Sequence, residues 1–143
     1  VYKLKKDFPN DEIILNGGIT SVEQIKPHLK KTDGVMIGRA AYHTPYILAE
    51  NEKEIFNNKN VPSRQDVIEQ LIPYIKDETK KGTRLNQIMR HTLGLFHGQT
   101  GASYWKRYLS ENMCVRDADV KKIDHIMDKI KCNNVDTSVG QSA

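Results

Sequence analysis

"EIILNGGITS" at residues 12–21 and "DGVMIGRAAY" at residues 33–42 decide how this chain begins to fold. Each is a short apolar run that ends in glycine. The first stops at Asn16-Gly17-Gly18, the second at Gly38-Arg39. Residues 12–16 and 34–38 read as strands, apolar and β-branched enough to be buried on both faces. Between them, Thr20-Ser21 offers an N-cap and Glu23 an acid in the first turn. The spacing predicts a helix from about Ser21 to Lys31, with Pro27 a blemish inside it. Strand, helix, strand is a βαβ unit, and its strands are parallel.

Glycines at the end of a parallel strand let an anion approach the backbone N–H groups closely, because no Cβ intervenes. Asn16 adds an amide donor. Arg39 adds a guanidinium that can hold phosphate oxygens bidentately. In (β/α)8 barrels a phosphate is often held by the loops after strands seven and eight. Two consecutive strand ends, NGG and GR, fit that pair. The alternative is that Gly17, Gly18 and Gly38 are only tight βα turns. For NGG alone the turn reading suffices; with Arg39 at the matching end of the next strand, phosphate binding explains more.

The rest of the chain reads as helices. "YHTPYILAENEKEIF" predicts a short helix pair broken at Pro45, and residues 57–63 a polar linker. Ser63 caps a long helix with Asp66 at its third position. Val67, Leu71, Tyr74, Ile75 and Glu78 form its inner stripe, Pro73 kinks it, and Lys80-Lys81-Gly82 ends it. Leu85, Ile88, Met89, Thr92, Leu93 and Phe96 mark one continuous helix that stops at Gly98. Residues 101–109 are another. Asp117 or Asp119 starts a fourth, with Val120, Ile123, Ile126, Met127 and Ile130 at helical spacing. From residue 133 the tail has no periodicity and is expected to be disordered. The fold class is therefore α/β plus all-α: two βα units over residues 1–56, a helical bundle over 57–132, and a tail over 133–143.

The chain has 143 residues, 38% of them apolar, and a mean hydropathy of −0.62. That suits a soluble folded protein with a real core. No apolar run approaches the roughly 20 residues of a membrane span. The opening "VYKLKKDFPNDE" has no apolar segment of a secretion signal and no initiator Met, which suggests a piece of a longer cytoplasmic chain. Cys114 and Cys132 have neither ligand spacing nor a nearby His, so unpaired thiols are expected rather than a metal site or a disulfide. The net charge of +4 is concentrated. Residues 80–107 hold Lys80, Lys81, Arg84, Arg90, Lys106 and Arg107 and no Asp or Glu. Such a stretch, with aromatics interleaved, suits an anionic partner such as the RNA backbone.

"ILNGGI" followed by "DGVMIGRAAYHTPYIL" resembles the end of the flavin-dependent tRNA-dihydrouridine synthases. "GTRLNQIMRHTLGLFHGQTGASYWKRYLSEN", residues 82–112, resembles their A branch. The resemblance runs from about Glu12 to Asn112. It implies the last two βα units of an FMN-binding (β/α)8 TIM barrel followed by a helical domain that grips tRNA. It implies that Asn16, Gly17, Gly18, Gly38 and Arg39 hold the FMN phosphate. It further implies reduction of uridine in the tRNA D-loop, near positions 20 and 20a, with NADPH as reductant. The family's six earlier strands, with most flavin contacts and the cysteine that protonates uracil, have no counterpart here. Neither Cys114 nor Cys132 lies in a matching motif, so no residue of this chain is expected to be catalytic.

Within the family pattern, the "GASYWKRYL" region faces tRNA. Ser103 stands where the A branch usually has Arg, Lys106 keeps the expected base, and Arg107 lies one position along, on a different side of the helix. Arg90 and His91 fall in a well-matched run, though His91 and His97 read as structural residues. Trp105 reads as a core anchor, and Tyr104 as the better stacking candidate. Two alternatives stand beside the synthase. One is a tRNA-binding helical module with no chemistry. The other is a different FMN-binding barrel oxidoreductase, a dihydroorotate dehydrogenase relative, which explains NGG and GR but not the basic helices. Exposed strand edges would invite pairing with another chain.

Overall fold

The computed structural model describes residues 1–113 and 121–135, with side chains as far as residue 129. The expectations placed on Cys114, Asp117, Asp119 and Val120, on the side chains of Ile130 and Cys132, and on residues 136–143 lie outside the described residues. The chain divides into two compact units, Val1–Val61 and Pro62–Ala143.

The first unit opens with α1 (Tyr2–Asp7), followed by β1 (Ile14–Asn16), α2 (Val22–Leu29) and β2 (Gly34–Met36). The strands pair in parallel, with Ile14 opposite Gly34, Leu15 opposite Val35 and Asn16 opposite Met36. The helix crossing between them is the expected βαβ unit. Gly34 matters to the pairing: a Cβ there would come within 3.3 Å of Ile14 Cγ1. Asp33 sets the start of both strands. Its Oδ2 accepts the Ile13 N–H at 2.8 Å, and its own N–H donates to the Ile13 carbonyl at 3.1 Å. Lys5 closes the corner by pairing with Asp33 at 2.8 Å and donating to the carbonyls of Pro9 and Asp11. Tyr2 hydrogen-bonds His28 Nδ1, tying α1 to α2.

The strands differ from expectation in their burial. Ile14 is 54% and Met36 46% exposed. Among the described residues the sheet has only two strands. Leu15 and Val35, on the other face, are half-buried. The alternation of side chains sends Ile14, Asn16, Gly34 and Met36 to one face, where Ile14, Asn16 and Met36 are exposed. Ile19, Val22, Ile25 and Ile47 form the buried core of this unit. The predicted helix pair is present as α3 (Arg39–His43) and α4 (Ile47–Glu54), separated at Pro45.

The second unit starts with α5 (Arg64–Lys80), whose cap is the predicted one: Ser63 and Asp66 bond each other's backbone N–H. Its inner stripe is rotated from the expected set. Ile68 and Ile75 are fully buried, whereas Tyr74 is 54% exposed. The stretch 85–96 is not one helix. It runs as α6 (Leu85–Met89), a 3₁₀ turn (Arg90–Thr92) and a chain of tight turns to Gly98. The cause is visible at Thr92. Its hydroxyl donates back to the Met89 carbonyl at 2.8 Å, and its carbonyl accepts both the Trp105 indole N–H at 2.9 Å and the Leu95 N–H at 3.0 Å. These bonds favour i→i+3 closure over continuation of the α-helix. Trp105, fully buried, packs 4.8 Å from Phe96, as its core reading anticipated. Then α7 (Ala102–Asn112) and α8 (Lys121–Val135) pack together. Ile123, Ile126 and Met127 are buried as predicted, and α8 continues three residues into the expected tail.

The Lys5 ammonium, then the Ile13 N–H, hold the Asp33 carboxyl below the usual aspartate range. A depressed folded value stabilises above the unfolded value and is lost as pH falls through the folded one. Thermal melts against pH should therefore show the first unit weakening only below about pH 4. Asp33→Asn should lower its melting temperature at neutral pH and flatten that acid limb. An unchanged acid limb would remove Asp33 as its cause.

Candidate phosphate cradle and nucleic-acid face

Because Asn16 and Met36 are register partners, Gly17-Gly18 and Ile37-Gly38 leave the sheet side by side at its C-terminal edge. Gly17 has φ +131° and Gly18 φ +69°, a conformation that side-chain-bearing residues rarely adopt. A Cβ at either position would meet nothing within 4 Å. The backbone angle demands glycine, and the space above it is open. Ile19, buried beneath, and the Thr20 N–H, which donates to Gln24 Oε1 at 2.8 Å, fasten this turn to α2. The Ser21 hydroxyl, foremost, holds the Glu23 carboxyl below its ordinary range. Ser21 stands at the N-cap but makes no capping hydrogen bond to the helix backbone.

Gly38 is different. Its φ of −92° does not require glycine, and a Cβ would lie 3.6 Å from Met36 Sδ, an ordinary contact. Its small size keeps that edge open. Arg39 begins α3, is exposed, and has no side-chain partner among the described residues. Asn16 is exposed on the same sheet face as Met36. The register thus brings Asn16, Gly17, Gly18, Gly38 and Arg39 to the same end of the sheet.

In the second unit, Ser103, Lys106, Arg107 and Ser110 are all exposed on α7. Spacings of three and four residues put Lys106 and Arg107 on the two sides of the Ser103–Ser110 line, opposite the buried Trp105 and Leu109. Arg90, exposed in the 3₁₀ turn, lines a groove with Leu93, Leu109 and Ser110, so it borders that line. Arg107 leans toward Tyr104, its guanidinium carbon 5.9 Å from the ring centre. Not every base of residues 80–107 faces outward alone. Lys81 pairs with Asp77 at 2.7 Å and Glu78 at 3.0 Å, which hold its ammonium above the usual lysine range. The acids lie just before the acid-free stretch, one helical turn away, where a linear count misses them. His91 and His97 are exposed. Sequence reasoning did not single out Tyr108 or His125, which extend an aromatic row from Tyr104. The four-residue step from Tyr104 to Tyr108 was the available signal for the first of them. No cluster of His, Cys, Asp and Glu suited to a metal ion occurs among the described residues. No helix among them is long and apolar enough to cross a membrane.

The family model for dihydrouridine synthase (Dus) matches residues 1–131, and the chain belongs to that family. It is 50% identical over 119 residues to the tRNA-dihydrouridine(20/20a) synthase of Synechocystis sp., covering 82% of this chain and 36% of that protein. To the Escherichia coli K12 protein of the same name it is 46% identical over 128 residues, covering 89% of this chain and 37% of the relative. To that of Haemophilus ducreyi it is 42% identical over 128 residues, covering 89% and 40%. The chain thus spans well under half the length of these curated relatives.

The glycine requirement is sharpest at Gly18. Gly18→Ala should destabilise the first unit by about 1–2 kcal/mol, the cost of a left-handed non-glycine residue. Gly18→Asn should cost less, because Asn tolerates that region. Denaturant unfolding of the three proteins gives the order. Equal costs for Ala and Asn would mean that the loop rearranges rather than strains.

Proposed function

We propose that this chain supplies the last two βα units of a (β/α)8 barrel and the helical tRNA-gripping domain of a tRNA-dihydrouridine synthase. The whole enzyme is a cytoplasmic oxidoreductase that reduces uridine to 5,6-dihydrouridine in the tRNA D-loop, at position 20 or 20a, with NADPH as reductant. Family membership and the names of the relatives support this reading over another FMN-dependent barrel oxidoreductase. The observation that carries it within the molecule is the parallel register of Asn16 and Met36, which sets two glycine turns side by side.

That edge fits the phosphate end of FMN. Gly17 and Gly18 open their backbone without a Cβ, Asn16 can donate its amide, and Arg39 stands exposed with its guanidinium uncommitted among the described residues. FMN, when bound and reduced by NADPH, would supply hydride for C6 of the uracil ring, and this chain's part would be to hold its phosphate. The outer edges of β1 and β2 are where further barrel strands, or another chain, would pair. In the helical unit, Lys106, Arg107 and Arg90 would pair with backbone phosphates, which fixes the RNA's position without reading its bases. Ser103 would add a hydroxyl to the same stripe.

The reaction itself is tested by incubating the complete synthase with unmodified tRNA, FMN and NADPH and measuring dihydrouridine in the digested nucleosides. No dihydrouridine, with tRNA still bound, would leave the binding-module reading in its place. In the complete enzyme, Arg39→Ala should weaken FMN binding roughly tenfold to a hundredfold, the worth of a charge-assisted hydrogen bond of about 1.5–3 kcal/mol. Unchanged affinity in a flavin titration would refute the phosphate assignment. Lys106→Glu should lower affinity for all tRNAs alike and flatten the slope of log K against log salt by about 0.7–0.9, one phosphate contact. Superimposable salt curves for mutant and wild type would mean that Lys106 does not meet RNA.

A further inference from the structure

The basic stripe of α7 has an aromatic margin. Tyr104 and Tyr108 lie one turn apart on α7 with ring centres 6.0 Å apart and planes inclined at 39°. His125 of α8 continues the row, 6.0 Å from Tyr108 at 34°. Both tyrosines are half-buried and His125 is exposed. Helical spacing places Arg107 between this row and Lys106, and the Arg107 guanidinium already sits over the Tyr104 ring. On α8, Lys121, Lys122, Asp128 and Lys129 all fall within one turn of His125, and Lys122 donates to the Asn112 carbonyl at 3.1 Å; on α7 the exposed Glu111 follows Tyr108 by three residues. Burial pushes the Tyr108 hydroxyl up from its ordinary value, so it carries no negative charge against RNA at neutral pH. Three rings with partly exposed surfaces, with Arg107, Lys121 and Lys129 among the neighbouring charges beside Glu111 and Asp128, have the composition of a single-strand binding platform: π-faces for bases and cationic side chains for phosphates.

We infer that Tyr104, Tyr108 and His125 receive unpaired nucleobases of the RNA whose backbone the Lys106 stripe holds. This rests on the proposed RNA-binding role of the helical unit and adds to it a distinct kind of contact. Phosphate pairing is indifferent to whether the bases are paired, but stacking on side chains needs bases that have left a helix. The row would therefore make the domain prefer a looped, folded tRNA over a continuous duplex.

The test uses the full 143-residue chain, an unmodified tRNA transcript and a fully paired RNA duplex. Tyr104→Leu and Tyr108→Leu should each weaken tRNA binding about fivefold to a hundredfold, the range for loss of one stacked base. Duplex binding should be unchanged, and so should the salt slope on tRNA, because a neutral ring releases no counterion. Tyr104→Phe and Tyr108→Phe should restore tRNA binding. Should Tyr108→Leu unfold, Tyr104→Leu and His125→Ala carry the test, with melting curves confirming folded protein. If folded variants bind tRNA as wild type does while Lys106→Glu flattens the salt slope, the row only packs α7 against α8, and the stacking inference fails with the RNA reading intact. Equal losses on tRNA and duplex also overturn it. If the wild-type chain binds neither RNA, both readings fall.

Discussion

The parallel pairing of two three-residue strands is the constraint on which the first unit depends. It is short, so its register is set from outside the strands. Asp33 exchanges two hydrogen bonds with the backbone of Ile13, one residue before the first paired position, and is itself held by Lys5. Gly34 removes the Cβ that would crowd Ile14. With the register set at the start, the strand ends must emerge together. Slipping it by one residue would reverse which side chains face the core and separate the two glycine turns.

A comparable role in the second unit belongs to the Thr92 carbonyl. By accepting the Trp105 indole N–H it fixes the start of α7 against the 3₁₀ turn. That places Arg90 beside the α7 stripe and turns Lys106 and Arg107 away from the buried Trp105 and Leu109. Arg64 adds a second tie, its Nε donating to the Leu95 carbonyl at 2.9 Å. The basic surface is thus built on a buried aromatic anchor, which keeps the exposed cations on a rigid helix rather than on a loop.

Under the proposed function the two units would hold an anion in different ways. In the first, backbone geometry does most of the work: glycines at positive φ expose N–H groups, and one Arg and one Asn stand beside them. Such a site suits a single phosphate approached closely. In the second, long side chains project from a helix face, which suits a repeating polyanion whose phosphates are spread along a surface. A chain that binds a phosphorylated cofactor and an RNA would need both.

Much of this was legible in the sequence, because local rules decide it. The βαβ unit, the break at Pro45, the Ser63–Asp66 cap and the glycine stop at Gly82 follow from hydrophobic period and turn chemistry. So does the membership of Asn16, Gly17, Gly18, Gly38 and Arg39 in one edge, once the strands are parallel. Other features needed the tertiary structure. Whether 85–96 stays helical depended on a hydrogen bond from Trp105, thirteen residues beyond Thr92. Which bases stand free depended on Asp77 and Glu78 folding back to Lys81 across one helical turn. The strands look doubly buried by composition, yet half their surface is open, because burial is a property of neighbours and not of the run itself. The aromatic row joins α7 to α8 through His125, a residue with no sequence neighbour in common with Tyr104. Period and capping are encoded within a few residues of chain, whereas partners across helices are chosen only when the core closes.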